Sequence, residues 1–428
     1  RRAGAALAAG AALAAVLALL AILAWTRWAE PPPAGPPRIA ILAFDDLSAG
    51  ADRGYLGDGI AEGIITELAS YHELDVIARN SSFSFRDTDT GIREVAARLR
   101  ADYVVEGSKQ KSGERLRVTV QLIDGQDGTH LWAHAFDAGI ADLFDVQSRI
   151  VRGVAIHLGR ELAWKAPQRG GRDKVSALHH YPPGNTEFSK STRASAVAAR
   201  DLYLQAIAAD PDAPFGYVGM SLIFWHDSSQ RWVYPEMPRD EILRLGTDYA
   251  EKALAIDRDY YAAHIARGDM HFIAGEHEEA IIRYGTAAEL NPASGQALAL
   301  PNDSLIYLGR ADEAVALMKR AIDIDPIAPG WYYKNLAHAL WATGDCAEGI
   351  GWMKKRARLR PWDLRTLMVL QACNGDLEDA RETAARHMEA EPGYTVRTYE
   401  ERNRDVWNNP DLLARWLDDM RLAGLPDG

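Results

Sequence analysis

The strongest constraint in this sequence is a recurring punctuation mark: four glycines each precede a proline by 17 residues, at Gly275 and Pro292, Gly309 and Pro326, Gly344 and Pro361, and Gly375 and Pro392. A glycine supplies the left-handed stop after one helix, and the proline ends the next. Ala280, Ala314 and Ala380 take the small position inside the second helix of three units, with Ala287 and Ala321 two turns further on. Proline-to-proline steps of 34, 35 and 31 residues describe a helical hairpin copied along the chain. Such a hairpin leaves an apolar face that only its neighbours can cover, so the copies must stack into a superhelix with one concave wall.

That period is the one of tetratricopeptide repeats. Two degenerate units precede the regular ones, ending at Ala206-Ile-Ala-Ala-Asp-Pro211 and Ala253-Leu-Ala-Ile-Asp-Arg258, the second with an insertion around Trp225 to Pro238. By repeat position Asp303, Tyr307, Trp331, Lys334, His338, Trp362 and Arg365 are expected on the concave wall, as a groove for a peptide or protein ligand. Trp331 and Trp362 can equally fill gaps between repeats. Cys346 and Cys373 lie equidistant from the turn at Leu359-Arg360 of a hairpin, so they can pair in an oxidising compartment or remain two buried thiols. His264, His271 and His277 are spaced by seven and six residues, which does not gather them on one helix face, and they read as solvated or core side chains rather than metal ligands. The stretch Asp411 to Pro426 is an amphipathic helix suited to capping the array.

Upstream, Ala3 to Thr26 carries no charge. As a helix those residues span ~36 Å, enough to cross a bilayer core of about 30 Å. Arg1 and Arg2 before it, and Trp25 and Trp28 at its far end, fit a single-pass anchor that leaves the remainder outside the cytoplasm. A cleaved signal peptide is the alternative reading. Residues 29–37 are a proline-rich spacer.

Between spacer and repeats the pattern alternates. Ile39 to Phe44, Leu74 to Ala78, Tyr103 to Glu106, Leu116 to Ile123 and His130 to Phe136 read as strands, with turns at Ser112-Gly113 and Asp127-Gly128. Helices are expected from Asp58, over Ile92 to Leu99, and over Asp145 to Trp164. Two βα units feeding an antiparallel meander imply a small α/β domain with a mixed sheet. Its glycine-rich helix entry, Gly54 to Gly63, lacks a phosphate-loop ending and carries Asp58 and Glu62, so a turn with a helix cap is the reading there. Arg79-Asn80-Ser81-Ser82 falls at a carboxyl strand end, where such sheets form pockets, and reads here as a loop.

The chain is therefore expected to be multidomain: a transmembrane helix over 1–28, the spacer over 29–37, an α/β domain over 38–164, a linker over 165–185, an all-α superhelix over 186–400 and a capping helix over 401–428. With 48 basic against 60 acidic residues the net charge is −12, which disfavours nucleic acid as a partner of this region. No GxSxG, HExxH or Walker sequence is present, so neither catalytic residues nor a cofactor or metal are assigned.

The α/β segment also carries a resemblance. Ile39-Ala-Ile-Leu-Ala-Phe-Asp-Asp-Leu-Ser48, Tyr55 to Leu68, Val76-Ile-Ala-Arg-Asn-Ser-Ser-Phe83, Tyr103-Val-Val-Glu-Gly-Ser108, Val120-Gln-Leu-Ile-Asp124 and His130-Leu-Trp-Ala133 resemble the TolB-like amino-terminal module, departing from it at Ala43, where proline is usual. The resemblance implies a place between a membrane helix and a tetratricopeptide array in a bacterial signalling protein. Upstream, such chains carry a class III adenylate or guanylate cyclase domain or a winged-helix domain of the CadC type. The ending of the chain resembles that of the cyclases, which implies a non-catalytic sensory region, periplasmic beyond a bacterial inner-membrane anchor, and a homodimer. A free-standing periplasmic scaffold is the remaining reading.

Overall fold

The computed structural model describes residues 36–48, 55–71, 74–113, 115–139, 142–158, 181–356 and 358–428. The anchor expected over 1–28 lies outside the described residues, as do the linker around Gln168 to Asp173 and the end of the helix expected to reach Trp164. Among the described residues no helix is long and apolar enough to cross a membrane.

Residues 38–158 build the mixed sheet. Strands β1 (Arg38–Ile41), β2 (Asp45–Asp46), β3 (Asp75–Val76), β4 (Tyr103–Ser112), β5 (Arg115–Asp124) and β6 (His130–Gly139) run in the order β3-β1-β4-β5-β6, with β2 pairing β4. β1 is parallel to β3 and β4, and β4, β5 and β6 form the antiparallel meander. Both hairpin turns rest on glycines in the left-handed region, Gly113 at φ +60 and Gly128 at φ +80. Helices α1 (Tyr55–Ala69) and α4 (Leu143–His157) cover one face, where Ile60, Ile64, Leu68, Val146 and Ile150 pack on Ile39, Val118, Val120 and Leu122. α2 (Arg79–Phe83) and α3 (Ile92–Leu99) serve the other, with Ala40, Ile77, Phe85, Val95 and Leu99 in a smaller cluster.

From Tyr181 the chain is helical: α5 (Tyr181–Ser189), α6 (Arg193–Ala209), α7 (Phe215–Gln230), α8 (Arg239–Ile256), α9 (Tyr261–Ala274), α10 (His277–Leu290), α11 (Gly295–Ala299), α12 (Asn302–Tyr307), α13 (Ala311–Ile324), α14 (Gly330–Thr343), α15 (Cys346–Met353), α16 (Pro361–Asn374), α17 (Leu377–Ala390), α18 (Val396–Asn403) and α19 (Pro410–Leu422). The four repeat glycines end α9, α12, α14 and α16 at φ values of +80, +80, +94 and +87. At each, two backbone bonds close the helix; Gly275 N donates to Phe272 O and Glu276 N to His271 O, and the pattern recurs at the other three. Ala280, Ala287, Ala314, Ala321 and Ala380 are fully buried between helices. Pro301 splits one repeat helix into α11 and α12, since its ring cannot occupy a helix interior.

Cys346 at the start of α15 and Cys373 near the end of α16 form a disulfide with Cα atoms 6.1 Å apart. It closes a sequence separation of 27 residues. Cys373→Ser is expected to lower the unfolding free energy by about 3 kcal/mol. Urea denaturation with and without reductant checks this, and a midpoint that ignores reductant would contradict it.

Candidate functional site

Asp303, Tyr307, His338 and Arg365 come together, but not on an open wall. Asp303 Oδ1 lies 3.1 Å from His338 Nδ1, and the His338 ring lies 6.4 Å from that of Tyr307. Burial acts to raise the Asp303 carboxyl, yet Lys334 and the His338 hydrogen bond outweigh it and hold the group well below the usual carboxylate range. Over these residues runs the carboxyl-terminal segment of the same chain. Trp407 packs 4.6 Å from Tyr307, Trp416 lies 4.9 Å from His338, and Arg365 Nη1 donates to Tyr394 Oη at 2.8 Å. His277 holds the segment from the far side, its Nε2 2.7 Å from Val406 O.

The expectation of an exposed peptide groove at Asp303, Tyr307, His338 and Arg365 is thus corrected. The physical reason is the aromatic content of the segment: Tyr394, Tyr399, Trp407 and Trp416 bury almost completely by folding back onto the array. The same contacts extend the role of α19 beyond capping the last repeat, since it reaches Trp341 of α14. Of the remaining groove candidates, Trp362 is 42% exposed beneath the Arg360 guanidinium, while Trp331 and Lys334 are half-buried. His264, His271 and His277 are each buried, and each has a hydrogen-bond partner of its own: Arg258 O, the Glu276 carboxylate, and Ser304 with Val406 O.

A second set of contacts joins the sheet domain to the array. Ala78 N donates to Ile324 O at 2.8 Å. Ser81 Oγ donates to the Asp325 carboxylate and accepts from Ile327 N at 2.7 Å. Arg38 and Arg100 both reach the Asp323 carboxylate, at 3.3 and 3.1 Å. Burial raises the Asp325 carboxyl against the hydrogen bonds from Ser81 and Asn80. The segment Arg79 to Ser82, read as a loop, is therefore a short helix committed to this junction. Asp58, within the first turn of α1, is buried and ion-paired with Arg86, and Arg79 lies 4.0 Å away, so its carboxylate is committed to those two cations.

Beside the junction is a cavity of about 240 Å³. The sheet domain contributes Glu62, Thr66, Arg79 and Asn80 to its rim, and the array contributes Asn185, Tyr261 and Gln296. Glu62 is compensated by Arg79 Nε at 3.3 Å and accepts from Tyr261 Oη at 3.2 Å. The floor is apolar, with Val218, Ile265 and Ala266, except for two buried polar side chains, Asp269 and Asn291. Asp269 accepts from Tyr284 Oη at 2.8 Å, and burial pushes its carboxyl up to about 7 despite that bond. Asn291 Oδ1 is buried without a partner. Sequence reasoning missed both floor residues. Their available signal was an acid inside an apolar helix face and an asparagine where the neighbouring repeats carry aspartate.

Known proteins resemble parts of this chain. Residues 37–152 match the family model for the second domain of HilA/YgeH-like transcriptional regulators. The putative adenylate cyclase 3 of Rhizobium meliloti (strain 1021) is 36% identical over 209 residues, covering 48% of this chain and 36% of that protein, so the chain spans about a third of the relative's length. Among solved structures, Pseudomonas aeruginosa PilF aligns with a TM-score of 0.40 at 12% identity over 55% of this chain and all of its own. YrrB, described as a TPR protein with an unusual peptide-binding site, aligns with a TM-score of 0.32 at 15% identity over 45% of this chain and 93% of its own. The chain joins a mixed-sheet domain to an array of stacked helical hairpins, and it is similar along part of its length to a protein named as a cyclase.

Proposed function

We propose that this chain is the non-catalytic sensory and protein-binding region of a membrane-anchored bacterial signalling protein whose catalytic part is a class III adenylate or guanylate cyclase domain upstream. The observation that carries the reading is the 36% identity over 209 residues with a putative adenylate cyclase. The uncharged run from Ala3 to Thr26 supports an inner-membrane anchor, and Arg1 and Arg2 before it support a periplasmic location for the two domains beyond it. The disulfide accords with an oxidising compartment. Class III cyclases form active sites between two chains, so this parent carries with it a homodimer. The TolB-like resemblance of the sheet domain fits the same architecture.

The match of residues 37–152 to a regulator domain favours a second reading, the same module behind a winged-helix DNA-binding domain. The genomic sequence upstream of Arg1 separates the two. A cyclase domain with metal-binding aspartates supports the first, and a helix-turn-helix with a basic recognition helix overturns it in favour of the second. For protein binding, Trp362 with Arg360 above it is the aromatic and cationic anchor left accessible on the array. Trp362→Ala is expected to weaken partner retention in a pull-down at least tenfold while the helical melt shifts little, because 42% of the residue already lies in solvent. Undiminished retention would discard that anchor.

A further inference from the structure

We propose that the end of the helical hairpin formed by α15 and α16 lies against an anionic phospholipid surface, whose phosphates Lys354, Lys355 and Arg358 engage. The inference rests on the membrane anchor of the proposed function and not on the cyclase.

The first argument is charge segregation. The chain as a whole carries −12, yet five of the seven residues from Lys354 to Arg360 are basic, and the fourteen between Glu348 and Asp363 include no acid. Arg356 is committed inside the fold, 2.7 Å from the Asp363 carboxylate and bonded to Gly330 O. Arg360 leans over Trp362, the pair offered above to a protein partner. Lys354, Lys355 and Arg358 are exposed, and among the described residues none of them has a carboxylate partner. Cations gathered without counter-charge repel one another, so an external anion stabilises them. Lys355 Nζ lies 3.5 Å from the centre of the Trp352 ring, on which Tyr333 stacks at 5.8 Å. Basic side chains interleaved with indole and phenol rings are the composition of protein at a bilayer interface.

The second argument is position. Arg38, which opens β1, reaches the Asp323 carboxylate near the end of α13 at 3.3 Å. Gly330 opens α14 after the turn that follows, and its carbonyl accepts from Arg356. The basic end is therefore one repeat along from the residue at which the chain enters the sheet. Residues 29–37 span at most about 30 Å when fully extended, so an anchor ending at residue 28 keeps Arg38 within that distance of the bilayer. A surface tethered so closely acts at an effective concentration in the millimolar range, whereas an acidic protein segment has to be captured from solution. Each basic residue near an anionic leaflet biases contact about fivefold, so three of them bias it about a hundredfold.

The test uses the intact chain in liposomes and nanodiscs of phosphatidylcholine, alone or with one-third phosphatidylglycerol. Flotation with liposomes in molar salt reports the anchor. Acylation of lysines by a water-soluble reagent, read by mass spectrometry, reports the hairpin end. Labelling of Lys354 and Lys355 is expected to fall at least fivefold in anionic discs relative to neutral ones, with Lys190 and Lys252 in the earlier repeats unchanged. Half-molar salt is expected to restore it, because it screens exposed charges. Arg358→Gln, an exposed change that leaves the anchor alone, is expected to return part of the lost labelling in anionic discs. Equal labelling in the two lipids by a chain that floats would overturn the proposal and leave the anchor standing. A chain that does not float would overturn both, since nothing then brings this edge to a bilayer. Stronger protection by added hexaglutamate in neutral discs than by anionic lipid would assign the surface to an acidic protein instead. None of these outcomes bears on what lies upstream of Arg1, so failure here and failure of the cyclase reading are told apart.

Discussion

Trp341→Ala is expected to lower the unfolding free energy by about 3–5 kcal/mol, the range for deleting a large aromatic side chain from a packed core. Trp341 is fully buried on α14. Its ring meets Trp416 edge-on at 4.7 Å and lies under the Arg415 guanidinium at 4.3 Å, and its Nε1 donates to Asp419 Oδ2 at 2.7 Å. The substitution therefore opens a cavity and strips a buried carboxylate of its donor. Burial already raises the Asp419 carboxyl, and the indole N–H is the chief influence opposing that rise. Trp341→Phe keeps most of the packing and loses only the hydrogen bond, for an expected cost of about 1–3 kcal/mol. Urea denaturation gives both numbers. Limited proteolysis should show cleavage within residues 395–425 only in the alanine variant, because Trp341 is what the returning segment grips. A loss below ~1 kcal/mol for Trp341→Ala would mean that the segment is not seated as described.

The second large effect is a pH dependence seated at Asp269. Burial raises its carboxyl to about 7 from an ordinary value of 3.8, and the Tyr284 hydroxyl offsets only part of that rise. The unfolded chain therefore loses this proton near pH 4, while the folded protein keeps it until about pH 7. Within that window the unfolded state binds fewer protons, so this group's contribution falls as pH rises and levels off above pH 7. At ~1.4 kcal/mol per unit, the decline across the window is up to about 4 kcal/mol. Asp269→Asn retains an acceptor for Tyr284 and removes the titration. The variant is expected to exceed the parent by about 2–4 kcal/mol at pH 8 and to approach it near pH 4. Parallel stability profiles for the two proteins would place the titration elsewhere.

Local geometry was readable in the sequence because single residues report it. Gly275, Gly309, Gly344 and Gly375 occupy positions that demand a positive φ, and Gly113 and Gly128 do the same for the hairpins. The alternation of Val118, Val120 and Leu122 with polar neighbours shows which face of β5 is buried, and the structure puts those three on the core side. What stayed hidden depends on partners distant in the chain. Repeat position places Asp303 and His338 on an inner wall, yet nothing nearby announces that Trp407 and Trp416 return to cover it. Four aromatic residues from Tyr394 to Trp416 exceed what an end cap has to bury, and that density was the available hint. Ser81 and Asp325 are 244 residues apart, and each looks like an ordinary turn residue until the two domains meet.

The central claim is that the sheet domain and the repeat array form one body, closed on each other around the cavity. Two backbone amides test it most directly, because each donates across the junction: Ala78 N to Ile324 O and Ile327 N to Ser81 Oγ. Residue-resolved hydrogen exchange of the intact chain is expected to find both protected to the same degree, and to find that protection lost together in Asp325→Ala. Exchange of both amides at the rate of open peptide, with the neighbouring strands and helices still protected, would contradict the account.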